Sequence, residues 1–340
     1  MCPQEVTAGA LGEERDASTA DTGTALTTTA TFIRLPRVTN HIRMIPRNWS
    51  TAVLAKYHLN PWLTILKTVN ALTTTPTDYS NAGQDLSAAA ASVVLSDLDT
   101  LANGDFLLVG SHLPIRGVLV DVNATNAGAA STLAVKYTRG TAITAMATSD
   151  SGAKTIITAT HAYSNGDIAF ITGTRNYDGS WVVEQVVGTT TFVIAKPFVT
   201  DEATGVNVHW SDITPTDGTA SGGKTFAQDG NVTWTVPTDW KSVKLSNIYT
   251  SAPAFTHRDT TMYWTRWDVS AALDASVTID RMLSMNRNTA NYASMVSGLS
   301  LEQRIRHAEP GGIGNVEALT DAGTANLVVT ALCNRDGGFI

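Results

Sequence analysis

The chain has 340 residues, with 23 Lys and Arg against 30 Asp and Glu, for a formal net charge of −7. That length holds two domains, or one large β domain carrying an insertion, and a core large enough to need no disulfide or metal staple. The acidic balance lacks the basic footprint of a nucleic-acid binder, and no apolar run approaches the roughly 18 residues that span a bilayer.

Only 16% of the residues are charged, well below the ordinary quarter of a globular chain. Their place is taken by 50 Thr and 43 Ala. Threonine suits the pleated surface of a strand, and the scarcity of Lys and Glu leaves little material for long surface helices. A helical bundle is therefore excluded in favour of a mainly β protein. Cys2 and Cys333 sit at opposite ends and form neither a metal motif nor a disulfide framework. The first residues have no basic segment followed by an apolar one, so no secretory signal is read there.

Residues 1–40 are expected to be an extended N-terminal arm, since the stretch to Thr31 is nearly free of large apolar side chains. Such a stretch cannot offset its own ordering entropy, roughly 1–2 kcal/mol per residue. It must lie either on its own globular body or on neighbouring subunits, and both remain open. From Phe32 to Ile45 apolar residues alternate loosely, with Pro36 and Pro46 breaking any helix. Trp49–Leu66 is mixed, Thr73–Gln84 reads as a loop, and Ala88–Leu95 holds a short strand. The clearest β signal runs from Leu101 to Lys136, where FLLVG, GVLVDVN and TLAVKY are separated by Gly and Asn turns. It resumes at NVTWTVP, VKLSNIYT and MYWTRWDVSA, with Trp210 and Trp264 as anchors of a core or an interface. Strands at this spacing indicate a β-sandwich, jelly-roll-like in outline, formed by residues 41–139 and 204–285.

Residues 140–203 form a separate block. Four strand-like runs (AKTIITATH, DIAFITG, SWVVEQVV and TTFVIAKPFV) are divided by Asn165-Gly166, Asp178-Gly179 and Gly188, which supply the positive φ of tight hairpins. A small inserted β-barrel is expected. In the remainder, residues 286–340, Ser300–Ala308 is the best helix candidate, because Ser300 and Gln303 match a capping box. Ser276–Met285 is a second possibility. Gly311, Gly312 and Gly314 suggest a loop, and Asn326–Leu332 a final strand.

The inserted block resembles a small β module that recurs in tailed-phage virion proteins. The matching residues are Gly166, Asp167, Gly173, Tyr177, Asp178, Gly179, Val182, Val183, Thr191 and Phe192, over about 40 of the 340 residues. The flanking phrases TNHIRMIPRNW, LNPWLTILKT, DTLANGDFLLVGSHLPIRGVLVDVNATN and YWTRWDVSAALDASVTIDRML resemble head- or tail-associated structural proteins of tailed bacteriophages. The resemblance implies a virion protein, assembled in the host cytoplasm.

Chemical motifs are sparse. Gly218, Gly223, Lys224 and Thr225 satisfy the spacing of a phosphate loop, but an Asp-Gly turn and a strand follow where a helix N-terminus is required. The seven histidines (His41, His58, His112, His161, His209, His257 and His307) show no metal-site spacing, although some could meet in the fold. Asp97, Asp99 and Asp105 cluster near a turn and read as caps rather than as paired catalytic acids. Trp181 and Tyr177 could stack on a sugar, or could instead fill the barrel. No catalytic, cofactor-binding or metal-binding residue is assigned, and no cofactor.

The expectation is a non-enzymatic virion structural protein, a decoration or cement protein held to the capsid by apolar anchors and the arm. Its partners would be the major capsid protein or tail proteins, and further copies of itself, with a trimer suited to such a site. No direct nucleic-acid or membrane contact is expected. A tail or baseplate component, or a binder of host glycan, are the alternatives.

Overall fold

The computed structural model describes residues 24–27, 31–34, 41–47, 55–84, 93–95, 98, 104–128, 130–286, 293–295, 301–304, 313–320 and 325–332. The protein is mainly β, with several antiparallel sheets and, among the described residues, one short α-helix.

The two ends of the chain build one unit together. Four strands come from the N-terminal side: β1 (Thr24–Leu26), β2 (Thr31–Arg34), β3 (His41–Arg47) and β4 (Ala55–Pro61). Four come from the C-terminal side: β22 (Ala293–Met295), β23 (Leu301–Arg304), β24 (Ile313–Thr320) and β25 (Ala325–Leu332). They pair antiparallel as β1 with β25, β2 with β24, β3 with β23 and β4 with β22. This is one long two-legged ribbon. Curling the ribbon adds the β25–β3 and β24–β4 ladders and splits it into two four-stranded sheets, β1-β25-β3-β23 and β2-β24-β4-β22. Counted one to eight along the chain, the orders are one-eight-three-six and two-seven-four-five, a jelly roll of eight strands. Leu26, Met44 and Leu327 of the first sheet are buried, as are Ile33, Val316 and Ala318 of the second. The Thr320 amide donates to Thr27 O at 2.8 Å where the two sheets meet.

The described residues between β4 and β22 hang from the tip of that ribbon. A sandwich fills most of it. One sheet runs through β6 (Thr77–Asp78), β5 (Leu63–Thr68), β8 (Phe106–Ser111), β20 (Met262–Val269), β10 (Leu133–Ala142) and β16 (Val206–Ile213). The facing sheet holds β7 (Val93–Val94), β21 (Thr278–Asn286), β9 (Ile115–Ala124), β18 (Gly230–Thr233) and β17 (Thr216–Asp217). Between them lies the main core, with Ile65, Val109, Val118, Val120, Trp234, Trp267 and Met282. Period-two alternation sends β20 side chains both ways. Trp267 enters this core, while Met262 and Trp264 enter a second one under the segment 243–255. That segment carries β19 (Ser242–Val243) and a short helix, α1 (Leu245–Ile248).

Five further strands curl around a core of their own: β11 (Ala145–Ser149), β12 (Lys154–Thr158), β13 (Ile168–Thr172), β14 (Gly179–Val187) and β15 (Thr191–Ile194). Their order is β11-β12-β15-β14-β13. The irregularity between Val183 and Gln185 bends β14, so that its first half pairs with β13 and its second with β15; a bulge sharpens local bend and twist in this way. Ile157, Ile171, Tyr177, Val183, Phe192 and Ile194 fill the interior. Strand β13 pairs outward with β16, which joins the small unit to the sandwich sheet.

Several expectations change. Ser300–Ala308 is not a helix where it is described: Leu301–Arg304 is β23, paired with β3 from Leu301↔Met44 to Arg304↔His41. Ser276–Met285 also gives a strand, β21, laid along the whole of β9. In both, ladder pairing across the chain decides the outcome; at Ser300 it outweighs a cap worth about 1 kcal/mol. The run VKLSNIYT, read as strand, forms β19 and α1 instead. Gly314, read as loop, lies in β24. The arm, where described, lies on the chain's own body, as two strands of the roll. The strand order of a jelly roll belongs to strands from 24–61 and 293–332, so that only β3 and β4 of it fall within 41–139 and none within 204–285. Residues 1–23, Cys2, Cys333, Asp97, Asp99 and His307 lie outside the described residues.

Candidate functional site

A concentrated set of buried polar and titratable side chains lies where the small unit meets the sandwich. The loop between β12 and β13 places His161 and Tyr163, and β16 places Asn207 and His209. Asn207, His161 and His209 are all buried. His161 Nε2 lies 3.1 Å from Thr191 O, and its Nδ1 lies 3.2 Å from the Tyr163 backbone N–H. A carbonyl accepts and an amide donates, so these partners assign the neutral tautomer with its proton on Nε2. Tyr163 Oη donates to Asn207 Oδ1 at 2.7 Å and lies 3.1 Å from Val208 O. That bond orients the amide, leaving Asn207 Nδ2 to face His209 Nδ1 at 3.4 Å. The Tyr163 ring stacks on His161 with centroids 5.4 Å apart and meets His209 edge-on at 5.7 Å. Phe192 closes the cluster, 5.1 Å from both His161 and Tyr163.

Burial disfavours a charged imidazole. It holds His161 below the ordinary histidine range, against the opposing effect of the Thr191 carbonyl. His209 falls further, to about 4, through burial first and then the positive charge of Arg139. Burial also pushes the Tyr163 hydroxyl well above its usual range. Arg139 sits directly across the ladder from His209. It is held by Asp239, whose Oδ2 accepts from Nε at 2.7 Å while Oδ1 accepts from Tyr137 Oη at 2.9 Å.

A second polar network ties the roll to the sandwich. Glu317 of β24 is buried and pairs with Arg116 of β9. Asn60 Nδ2 donates to Asn315 Oδ1 at 2.9 Å and reaches Glu317 Oε2 at 3.2 Å, and Ser284 donates to Pro61 O. On the same face Phe32 packs on Leu283 and Met285. Breaking a buried charge pair typically costs about 3–5 kcal/mol, so this network fixes how the roll seats on the sandwich.

The residues singled out by motif have structural partners. Gly222 and Gly223 take φ of 58° and 78° at the centre of a tight hairpin closed by Ser221 and Lys224. Two successive positive φ values are what such a turn requires. Lys224 Nζ donates to Ala127 O at 2.7 Å, and Thr225 Oγ1 donates to Asp217 Oδ2 at 2.6 Å. Asp105 accepts from the Asn70 amide at 2.7 Å, capping a turn. Tyr177 is buried in the small unit's core, with Oη donating to Thr200 O at 2.8 Å, so it offers no face to a sugar. Trp181 is half-buried; its Nε1 donates to Tyr177 O at 2.8 Å and Lys196 Nζ sits 4.8 Å above its ring. Trp264 is a core anchor, donating to Val243 O at 3.0 Å. Trp210 is half-buried beside Tyr249. His257 pairs with Asp78 at 3.2 Å. Among the described residues no group of three or more His, Cys, Asp or Glu side chains could hold a metal ion.

The histidine cluster had no signal in the sequence beyond the residues themselves. His161 and His209 are 48 positions apart, and only the pairing of β10, β13 and β16 brings them together. A scan against protein-family models, a search of curated proteins and a search of solved structures each return no match for the chain.

Proposed function

We propose that the protein is a non-enzymatic structural component of a tailed-phage virion, a decoration or cement protein attached to the capsid shell. The observation that carries this reading is the jelly roll wound from the two sides of the chain, with the described residues between β4 and β22 carried at the ribbon tip. Jelly rolls recur in viral capsid domains, and also in lectins and cupins; a fold alone does not assign function. The phage-like phrases of the sequence supply the second support, and they favour a virion protein over a lectin or a cupin. The apolar side chains left outside are compatible with adhesion: Val182, Val187 and Val199 on the small unit are 47%, 52% and 57% exposed. In this reading the partners are the major capsid protein and further copies of the chain, with a symmetric trimer as the assembly to look for. No turnover is involved.

The test is direct. Antibody fragments raised against the purified chain are applied to intact particles from the source culture and imaged by electron microscopy, with the particle proteins measured by mass spectrometry. Regular labelling of the shell is the expected result. Labelling confined to one end would move the protein to the tail, and its absence from purified particles would overturn the reading.

A further inference from the structure

We propose that the contact between the small unit and the sandwich is an acid-operated latch, with His161 as the group whose protonation opens it. The inference stands on the direction of the hydrogen bonds and is independent of any virion role. Three donors point the same way: the Tyr163 amide to His161 Nδ1, Tyr163 Oη to Asn207 Oδ1, and Asn207 Nδ2 to His209 Nδ1. Each imidazole presents Nδ1 as an acceptor, so each must be neutral for the chain of bonds to hold.

The two histidines differ in what a proton does. At His209 the network has a second arrangement. The Asn207 amide turns over to offer Oδ1 to the new Nδ1–H, and Tyr163 Oη passes to Val208 O, already 3.1 Å away. His161 has no such relief. Its Nε2–H is committed to Thr191 O, so an added proton goes to Nδ1, where it faces the Tyr163 N–H. Two donors then confront each other inside a packed ring cluster. Relief requires the 159–167 loop to move off β16, taking the Tyr163 ring with it.

The charges around the cluster do not rescue the imidazolium. Arg139 on β10 opposes a proton at His209, and Asp239, which would favour one, is engaged by Arg139 and Tyr137. Lys241 packs over Gly140 beside Val206, on the face of the ladder opposite to Arg139 and His209. Asp167 is near Tyr163, but its carboxylate accepts from the Ser164 amide at 2.6 Å. From β15 the cluster is faced by Phe192 and the Thr191 carbonyl, neither of them charged. A histidine buried neutral that must charge on acidification is a recurrent physical basis for pH switches. Burial lowers the proton affinity of both rings, which sets the response below the ordinary histidine range.

Amide hydrogen exchange on the full chain, corrected for the intrinsic pH effect, tests the latch between about pH 7.5 and about pH 4.5. Peptides covering 159–172 and 206–212 are expected to lose protection by at least ~10-fold relative to β8 and β20 as the pH falls. The H161Q variant, which keeps a neutral donor and acceptor, is expected to remove that response. Unchanged relative protection in the native chain, or the same loss in H161Q, would overturn the proposal. Should H161Q not fold, nitrogen NMR of the native His161 ring decides: the Nε2–H tautomer must hold at neutral pH, and the Tyr163 and Thr191 amide shifts must move with the ring's own midpoint. An ordinary titration near ~6.5 with still amides would sink it.

Discussion

Asp78 shows how a single side chain acquires a pH signature from its partners. Burial raises its proton affinity, but hydrogen bonds from His257 and from the Ser80 hydroxyl and amide outweigh that and bring its pKa down from 3.8 to about 2. A carboxylate depressed in the folded state binds fewer protons there than in the unfolded chain. Its stabilisation is present above pH ~4 and is lost as the pH falls through 4 toward 2. Asp78→Asn should therefore lower the melting temperature near neutral pH and flatten its decline between about pH 4 and about pH 2. Parallel curves for the two proteins in that window would refute the assignment. The buried histidines act in the opposite sense on the charge but the same sense on the pH axis: neutral when folded, they contribute stability that falls away from about pH 6.5 downward, toward about 4 for His209. The two windows are separate, so the two effects can be resolved in one titration.

Some elements in this protein are decided by their neighbours rather than by their own propensities. Local patterning was sufficient for β8, β9, β10 and β20, where alternation or a continuous apolar run is bounded by turns. It failed at 301–304, where a Ser and Gln at capping-box spacing suggested a helix and a ladder with β3 formed instead. A cap is a local bond between a side chain and one amide, whereas an added strand satisfies a row of backbone groups at once. Close contact between elements is equally invisible to propensity. Gly110 lies in the middle of β8, opposite Trp264 in register, and a Cβ there would stand 2.5 Å from the Trp264 ring. That ring is buried and its indole N–H is committed to Val243 O, so it cannot step aside freely. Gly110→Ala should destabilise the protein by about 1–3 kcal/mol through overpacking, read as a shift of the urea midpoint together with a change in near-UV circular dichroism. A variant as stable as the parent would mean that the packing around Trp264 is slack.

For the whole molecule, the question is how much of the chain each unit needs. The small unit leaves the sandwich at Ala142 and returns at Val206, and these two residues are cross-strand partners in the β10–β16 ladder. Replacing residues 143–205 by a two-residue Asn-Gly turn should convert β10 and β16 into a plain hairpin. The remaining chain should still unfold cooperatively, with its tryptophan near-UV signal retained. Its melting temperature should fall, because β16 loses β13 as a neighbour and α1 loses the Ser180 bond to Asn247 O at 2.7 Å. A molten product without near-UV signal would show that the small unit is part of the sandwich core. The roll has no comparable excision point, since each of its four primary ladders joins one chain end to the other.

Composition and alternation were enough for the mainly β class, the strand-rich block at 140–203 and most strands of the sandwich, because these depend on neighbours a few positions apart. The burial of Tyr177 and the engagement of Lys224 could not be read there, since each depends on a carbonyl brought in by the fold, Thr200 O and Ala127 O. The roll and the histidine latch belong wholly to tertiary structure. Pairing β1 with β25 joins residues about 300 positions apart, and His161 becomes an acceptor only when Thr191 O occupies its other nitrogen. Such contacts leave no periodic trace along the chain, because what specifies them is the complementarity of surfaces that meet only after the strands have paired.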